Sequence, residues 1–223
     1  DAVVQCASSR GGGAEDYRRI YLESAAHLAA VFPQARLLFT SSTSVYAQTE
    51  GEWVDELSPA APLRPTGQIL RETEELILAR GGIVARLAGI YGPGRSASLR
   101  KLLAGDAVLG PDSDRYLNQV HRDDIAAALL LLIESSLESS SPRIFNVSDN
   151  HPLSQRACYE WLATELHRPL PPSSDVPAPR KRGASNKRIR SEKLLALGWA
   201  PRYPTFASGM RESVLPALAA PSS

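Results

Sequence analysis

Short apolar runs and longer amphipathic stretches take turns along the first two-thirds of the chain. Ala2-Val3-Val4-Gln5-Cys6 reads as a β-strand, stopped by Ser8-Ser9-Arg10-Gly11-Gly12-Gly13. Apolar positions at Tyr17, Ile20, Tyr21, Ala25, Leu28 and Val31 then predict a helix. After Pro33 a second strand over 36–40 runs into the hydroxyl-rich Ser41-Ser42-Thr43-Ser44-Val45-Tyr46, and 50–65 is an acidic, Pro-containing loop. A helix over 67–79 ends at Gly81-Gly82, a strand follows over 83–87, and Ile90-Tyr91-Gly92-Pro93-Gly94 makes a tight turn. Three β-then-α units in succession predict a parallel sheet covered by helices.

The second half is less regular. It predicts a short helix over 98–104, a strand over 116–121 and a strong helix over 123–135, whose amino-terminal dipole Asp123 and Asp124 complement. A Ser-rich connection over 135–142 leads to a strand over 143–147, and Ser154 is a plausible N-cap for a helix reaching 167. A Pro-rich and then basic loop covers 169–190. Ser191 is expected to cap a short helix closed by Gly198, and Thr205 to open the last one.

Composition narrows the class. With 43% hydrophobic residues among 223, the chain can bury a substantial core as one large domain or one and a half. A net charge of +1 gives no global pull toward nucleic acid or anionic membrane. Cys6 and Cys158 are far apart, with no metal-type spacing, which favours a reducing compartment, the cytoplasm by default. The apolar run over 125–133 is far short of the ~20 residues that span a bilayer. The chain starts at Asp1 almost inside an apolar run, which reads as a beginning cut off.

Three segments in this order carry a resemblance: Leu38-Phe39-Thr40-Ser41-Ser42-Thr43-Ser44-Val45-Tyr46, Arg86-Leu87-Ala88-Gly89-Ile90-Tyr91-Gly92-Pro93-Gly94-Arg95, and Val120-His121-Arg122-Asp123-Asp124-Ile125-Ala126. With Phe145-Asn146-Val147-Ser148-Asp149 and the ending Leu197-Gly198-Trp199 through Thr205-Phe206, they resemble the extended short-chain dehydrogenase/reductases, the NAD-dependent epimerases and dehydratases of nucleoside-diphosphate sugars. The tail is most similar to the atypical subgroup. The resemblance implies an α/β fold: a Rossmann-like, doubly wound parallel sheet lacking its first strands, with a smaller carboxyl-terminal α/β substrate region. Residues 1–92 and 118–147 would form the core, and 93–117 and 148–223 the substrate region. The family's opening strand, GxxGxxG turn and helix are absent, so roughly sixty to seventy residues would lie upstream. Gly92-Pro93-Gly94-Arg95-Ser96-Ala97 imitates a dinucleotide fingerprint, but Pro93 removes a donor, and a structural or substrate-side turn is preferred.

In the family a Tyr acts as acid/base, a Lys four residues later lowers its pKa and holds the nicotinamide ribose, and a Ser positions substrate. Aligned through Pro65 and Glu74, these Tyr and Lys positions fall on Thr66 and Leu70. A Thr hydroxyl is too weak an acid without an activating base, and Leu70 has no charge. The resemblance leaves Ser42, Thr66 and Tyr46 as catalytic candidates, Cys6, Ala7, Ser8, Thr40, Ser41 and Gly89 toward the cofactor, and Thr43, Ser44, Tyr91, Arg95, His121 and Arg182 toward the substrate. Four of them have a plainer reading: Ser42 satisfying backbone groups, His121 as a structural residue, Tyr46 and Tyr91 as packing. The basic run Arg180, Lys181, Arg182, Lys187, Arg188, Arg190 and Lys193 suits a solvated or substrate-phosphate role better than nucleic acid, since no aromatic residues interleave with it. NAD or NADP is expected for the full-length protein, with binding by this stretch alone doubtful. The expected partners are a small molecule such as a nucleotide sugar and a second copy in a homodimer, with no metal, nucleic acid or membrane. The alternative is a catalytically silent binding or regulatory module.

Overall fold

A computed structural model of the chain describes residues 1–9, 11–136, 143–176 and 185–219. Four apolar runs, β1 (Ala2–Gln5), β2 (Arg36–Ser42), β4 (Ile83–Leu87) and β8 (Ile144–Val147), form a wholly parallel sheet in the spatial order β1-β2-β4-β8. Val4 faces Leu38, Leu38 faces Ile83, and Ala85 faces Phe145. All five residues of β4 are buried, as a central parallel strand requires.

The period-2 alternation of β2 builds both layers. Leu37 and Phe39 point into one cluster with Tyr21, Ala25, Leu70 and Ile77, while Leu38 points into the other with Val120, Ile125, Leu132, Phe145, Leu194 and Trp199. The first layer is made by α1 (Ala14–Tyr17), a π-helical stretch (Arg18–Glu23), α2 (Ser24–Val31) and α3 (Pro65–Ala79). The second is made by α5 (Arg122–Glu134) and α7 (Glu192–Ala196). Helix α3 starts two residues before its predicted position because Pro65 fits the first helical turn, where its missing N–H costs nothing.

Small strands carry the remainder. β3 (Trp53–Val54) pairs in parallel with β10 (Arg188–Ile189), β5 (Gly89–Tyr91) with β7 (Gln119–His121), and β6 (Tyr116–Leu117) runs antiparallel to β9 (Leu153–Ser154). The single strand expected over 116–121 is thus split at Asn118. Its side chain donates to the Lys187 carbonyl at 2.9 Å and accepts from Ile189 N at 2.7 Å, tying two sheets together. A third cluster, with Leu99, Leu102, Leu109, Cys158, Leu162, Phe206 and Met210, joins α4 (Ala97–Ala104), α6 (Gln155–Glu165) and α8 (Phe206–Gly209).

Ser154 caps α6, and Thr205 forms a capping box with Ser208. Ser191 does not cap α7, contrary to expectation: its hydroxyl accepts the Ser148 amide at 2.9 Å, a donor that would otherwise be buried without a partner. No described helix is long and apolar enough to cross a membrane.

Candidate functional site

Ligands of open α/β sheets bind beyond the carboxyl ends of the strands, and the hydroxyl-rich segment lies there. Ser42 closes β2 and accepts the Ser44 amide at 3.2 Å, stabilising a 3₁₀ turn over Thr43–Val45. That engages its lone pair and leaves its proton available to a ligand. Thr43 and Ser44 are half-buried beside it. Thr66 lies in the first turn of α3, and no base is hydrogen-bonded to it among the described residues. Leu70, expected at the family's lysine position, is packed in the first core cluster.

Beneath this rim runs a buried polar chain that sequence reasoning missed. Arg86, in the middle of β4, donates to both oxygens of Glu74 at 3.1 and 2.7 Å, and Ser41 donates to Glu74 at 2.6 Å. Arg71 also pairs with Glu74. Arg86 donates at 2.8 Å to the Tyr46 hydroxyl, which donates at 2.9 Å to Asn146. Asn146 reaches Arg190 O through its side chain, and its amide is received by Glu56 at 2.7 Å. Tyr46 is wholly buried with its hydroxyl engaged on both sides, and burial pushes its pKa up. Ser41, placed toward the cofactor, likewise turns inward to Glu74.

Tyr91 is also buried rather than open to a ligand. Its hydroxyl donates to Thr205 O at 3.2 Å, and its ring packs on His121 and Phe206. His121 caps α5, its Nδ1 accepting the Asp123 amide at 3.2 Å, so Nε2 carries the proton that faces Ser213 Oγ at 3.1 Å. Burial lowers its pKa, which favours the neutral ring. Arg95 is exposed and closes a turn with Gly92, N to O at 2.9 Å in both directions. Pro93 and Gly94, the latter at φ +71°, occupy the centre of that turn, so the fingerprint-like segment is a tight turn. Arg182, Arg180 and Lys181 lie outside the described residues.

A cleft of about 670 Å³ lies between β3, β6, β10 and the α6–α8 region. Trp53, Tyr116, Trp161, Phe206, His151 and Arg188 line it. The Arg188 guanidinium lies 5.0 Å from the Trp53 ring centroid and 5.0 Å from that of Tyr116, and Arg190 lies 5.2 Å from Trp53. Arg188 Nε is fixed by Gly51 O at 2.7 Å. The basic run therefore does meet aromatic rings, supplied by distant segments that spacing along the run could not reveal. Planar guanidinium and indole faces beside a half-buried phenol suit a flat ring with an attached anion.

The residues expected toward a dinucleotide differ in what they offer. Cys6, Ala7 and Ser8 are exposed at the end of β1, but the Thr40 hydroxyl is given to Gln5 O at 3.1 Å. Gly89 allows a close backbone approach, since a Cβ there would meet Asn118 O at 2.8 Å. No GxxGxxG cradle occurs in the sequence and Leu70 offers no cation, so the residues present do not fit a whole dinucleotide. Among the described residues there is no group of three or more His, Cys, Asp or Glu side chains placed to hold a metal.

A four-stranded parallel sheet covered on both faces, with a cleft beside its strand ends, defines a Rossmann-like α/β protein of the dehydrogenase shape. A Methylobacillus flagellatus protein assigned to the NAD-dependent epimerase/dehydratases superposes with a TM-score of 0.76 at 30% identity, over 93% of this chain and 74% of that one. The chain belongs to the NAD-dependent epimerase/dehydratase family. Protein YeeZ of Escherichia coli (strain K12) is 34% identical over 141 residues, 60% of this chain and 49% of YeeZ, so the chain spans about half the length of the curated relatives it matches. The Thermus thermophilus UDP-glucose 4-epimerase, solved as a complex with NAD, shares the fold with a TM-score of 0.76 at 22% identity, over 91% of this chain and 71% of that one. No family model matches the chain.

Proposed function

We propose that the chain provides the substrate-holding part of a cytoplasmic epimerase/dehydratase-type protein, and that it binds a nucleotide-sugar-like molecule in the cleft lined by Trp53, Tyr116 and Arg188. The cleft itself carries this reading: it combines about 670 Å³ of space with a guanidinium held between two aromatic rings. Solved relatives bound to UDP-sugars support the substrate class, and their NAD supports NAD or NADP as cofactor of the full-length protein. In this proposal Ser42 offers a hydroxyl to the reacting end of the substrate, and chemistry does not run through a Tyr–Lys pair. A silent binding module is the second reading, favoured by one observation: the aligned lysine position, Leu70, is built into the core.

Calorimetric titration with UDP-glucose and with NAD tests both. Saturable UDP-glucose binding is expected; none at millimolar concentration rejects the substrate class. Turnover of UDP-glucose by the full-length protein with NAD, lost in Ser42→Ala, rejects the silent module.

A further inference from the structure

The segment that leaves β8 reaches the cleft with its polar groups already set. Asp149 N donates to Gln119 O at 2.9 Å, and Asn150 follows in the left-handed region at φ +59°. Asn150, His151, Pro152 and Leu153 then line the same cavity as Trp53, Tyr116 and Arg188.

Asn150 and His151 each have one side-chain atom tied to the backbone, and that tie decides what the other atom can do. Ser191 N donates to Asn150 Oδ1 at 2.7 Å, which identifies the oxygen and makes Nδ2 the remaining end, a donor with no partner among the described residues. The His151 amide is held by Asp149 Oδ1 at 3.0 Å, and its ring Nδ1 lies 2.8 Å from Asp149 O. A carbonyl oxygen only accepts, so Nδ1 carries the proton. In the neutral ring Nε2 is therefore a lone pair, again with no partner among the described residues. Two consecutive residues thus bring one preset donor and one preset acceptor to the cleft.

The aromatic wall determines what such a pair meets. A flat ring stacked against Trp53, Arg188 and Tyr116 has its faces covered, and only its edge is left to be read. A donor beside an acceptor on the protein matches a carbonyl beside an N–H on the ligand. Uracil and thymine have that edge, whereas cytosine carries a lone pair where uracil carries the ring N–H. We propose that Asn150 and His151 read the base of the substrate, Nδ2 donating to a ring carbonyl and Nε2 accepting from the adjacent N–H, so that the cleft selects a uracil-type ring over cytosine. This rests on the nucleotide-sugar reading above and narrows it.

The test has two readouts. Calorimetric titration of the full chain compares UDP-glucose with CDP-glucose, for the native protein and for His151→Leu, a change at an exposed residue whose folding a thermal melt checks. The native chain should prefer UDP-glucose about tenfold, and His151→Leu should lose about tenfold toward UDP-glucose and little toward CDP-glucose. Side-chain ¹H–¹⁵N spectra at pH 8, with His151→Leu assigning the signal, should show the free protein protonated on Nδ1 and Nε2 shifting as UDP-glucose is added. Equal losses for the two nucleotides, native-like UDP-glucose affinity in His151→Leu, or a proton on Nε2 overturns the base-edge assignment while leaving the substrate class intact. Failure of the native chain to bind either nucleotide sugar overturns both.

Discussion

Arg188 lies across Trp53, its guanidinium carbon 5.0 Å from the indole centroid, in a cleft that no single stretch of sequence announces. The pair joins an acidic loop to a basic one more than a hundred residues later. Removing the ring takes away one stacking surface and leaves Arg188 held by Gly51 and Tyr116. Trp53→Ala should therefore weaken UDP-glucose binding about tenfold, within the 0.5–2 kcal/mol range of cation–π contacts, and leave the melting temperature nearly unchanged because Trp53 is exposed. Calorimetry and thermal melts of the same sample check both halves, and an unchanged affinity would move the ligand out of this cleft.

Asp149 makes stability depend on pH. Its Oδ1 accepts the His151 amide at 3.0 Å, its Oδ2 has no partner among the described residues, and burial raises its pKa to about 7, with the Asp124 carboxylate adding to the effect. The folded state therefore holds a proton that the unfolded state releases near pH 4, and stability falls as pH rises from about 4 to about 7. Asp149→Asn keeps the acceptor for His151 and removes the titration. It should flatten that slope and stabilise the protein at pH 7.5 by on the order of 2–4 kcal/mol. Urea unfolding of both proteins from pH 4.5 to 8 measures the difference, and equal slopes would show that Asp149 ionises freely.

The elements were legible because their signals are local, as in the apolar run of β2 and the cap at Ser154, whereas Pro65, read as the end of a loop, opens α3. The layering followed from repeated β-then-α units. The site was less legible, because its parts meet only through the fold. Arg86 and Glu74 are twelve residues apart and read as ordinary charged positions, yet both are buried and paired. Tyr46 and Tyr91 sit at strand ends as expected, but whether a phenol faces out or in depends on Asn146 and Thr205, which arrive from elsewhere in the chain. The Trp53–Arg188–Tyr116 stack needs three segments at once.

The Arg86–Glu74 pair should behave as a buried ion pair whose separate halves are costly. Glu74 receives Ser41 and Arg71 as well as Arg86. Arg86→Met would leave a buried carboxylate with fewer partners and release the Tyr46 hydroxyl, destabilising the protein by about 3–5 kcal/mol. Arg86→Met combined with Glu74→Leu should recover part of that loss, since neither mutant partner is then a buried unpaired charge. Denaturant midpoints of the two single variants and the double variant complete the cycle. Strict additivity would mean that the two residues do not interact.

The last prediction concerns the lysine that the family alignment places at Leu70. If its loss were a single recent substitution in an otherwise intact site, Leu70→Lys would restore a usable cation. The surroundings argue the opposite: Leu70 is 4% exposed and belongs to a cluster of Tyr21, Phe39, Val45, Tyr46, Val54 and Ile189, and the buried carboxylate one turn further along α3, Glu74, is already engaged by Arg86, Arg71 and Ser41. A lysine there must bury its ammonium group in apolar surroundings or displace α3 from β2. Leu70→Lys should lower the stability by about 3 kcal/mol or more, whereas Leu70→Met, which keeps volume and polarity, should cost less than about 1.5 kcal/mol. Thermal melts rank the two, and UDP-glucose turnover by full-length Leu70→Lys with NAD should stay at the native level. A stable, newly active Leu70→Lys protein would show that the core around α3 still accepts the family's catalytic lysine.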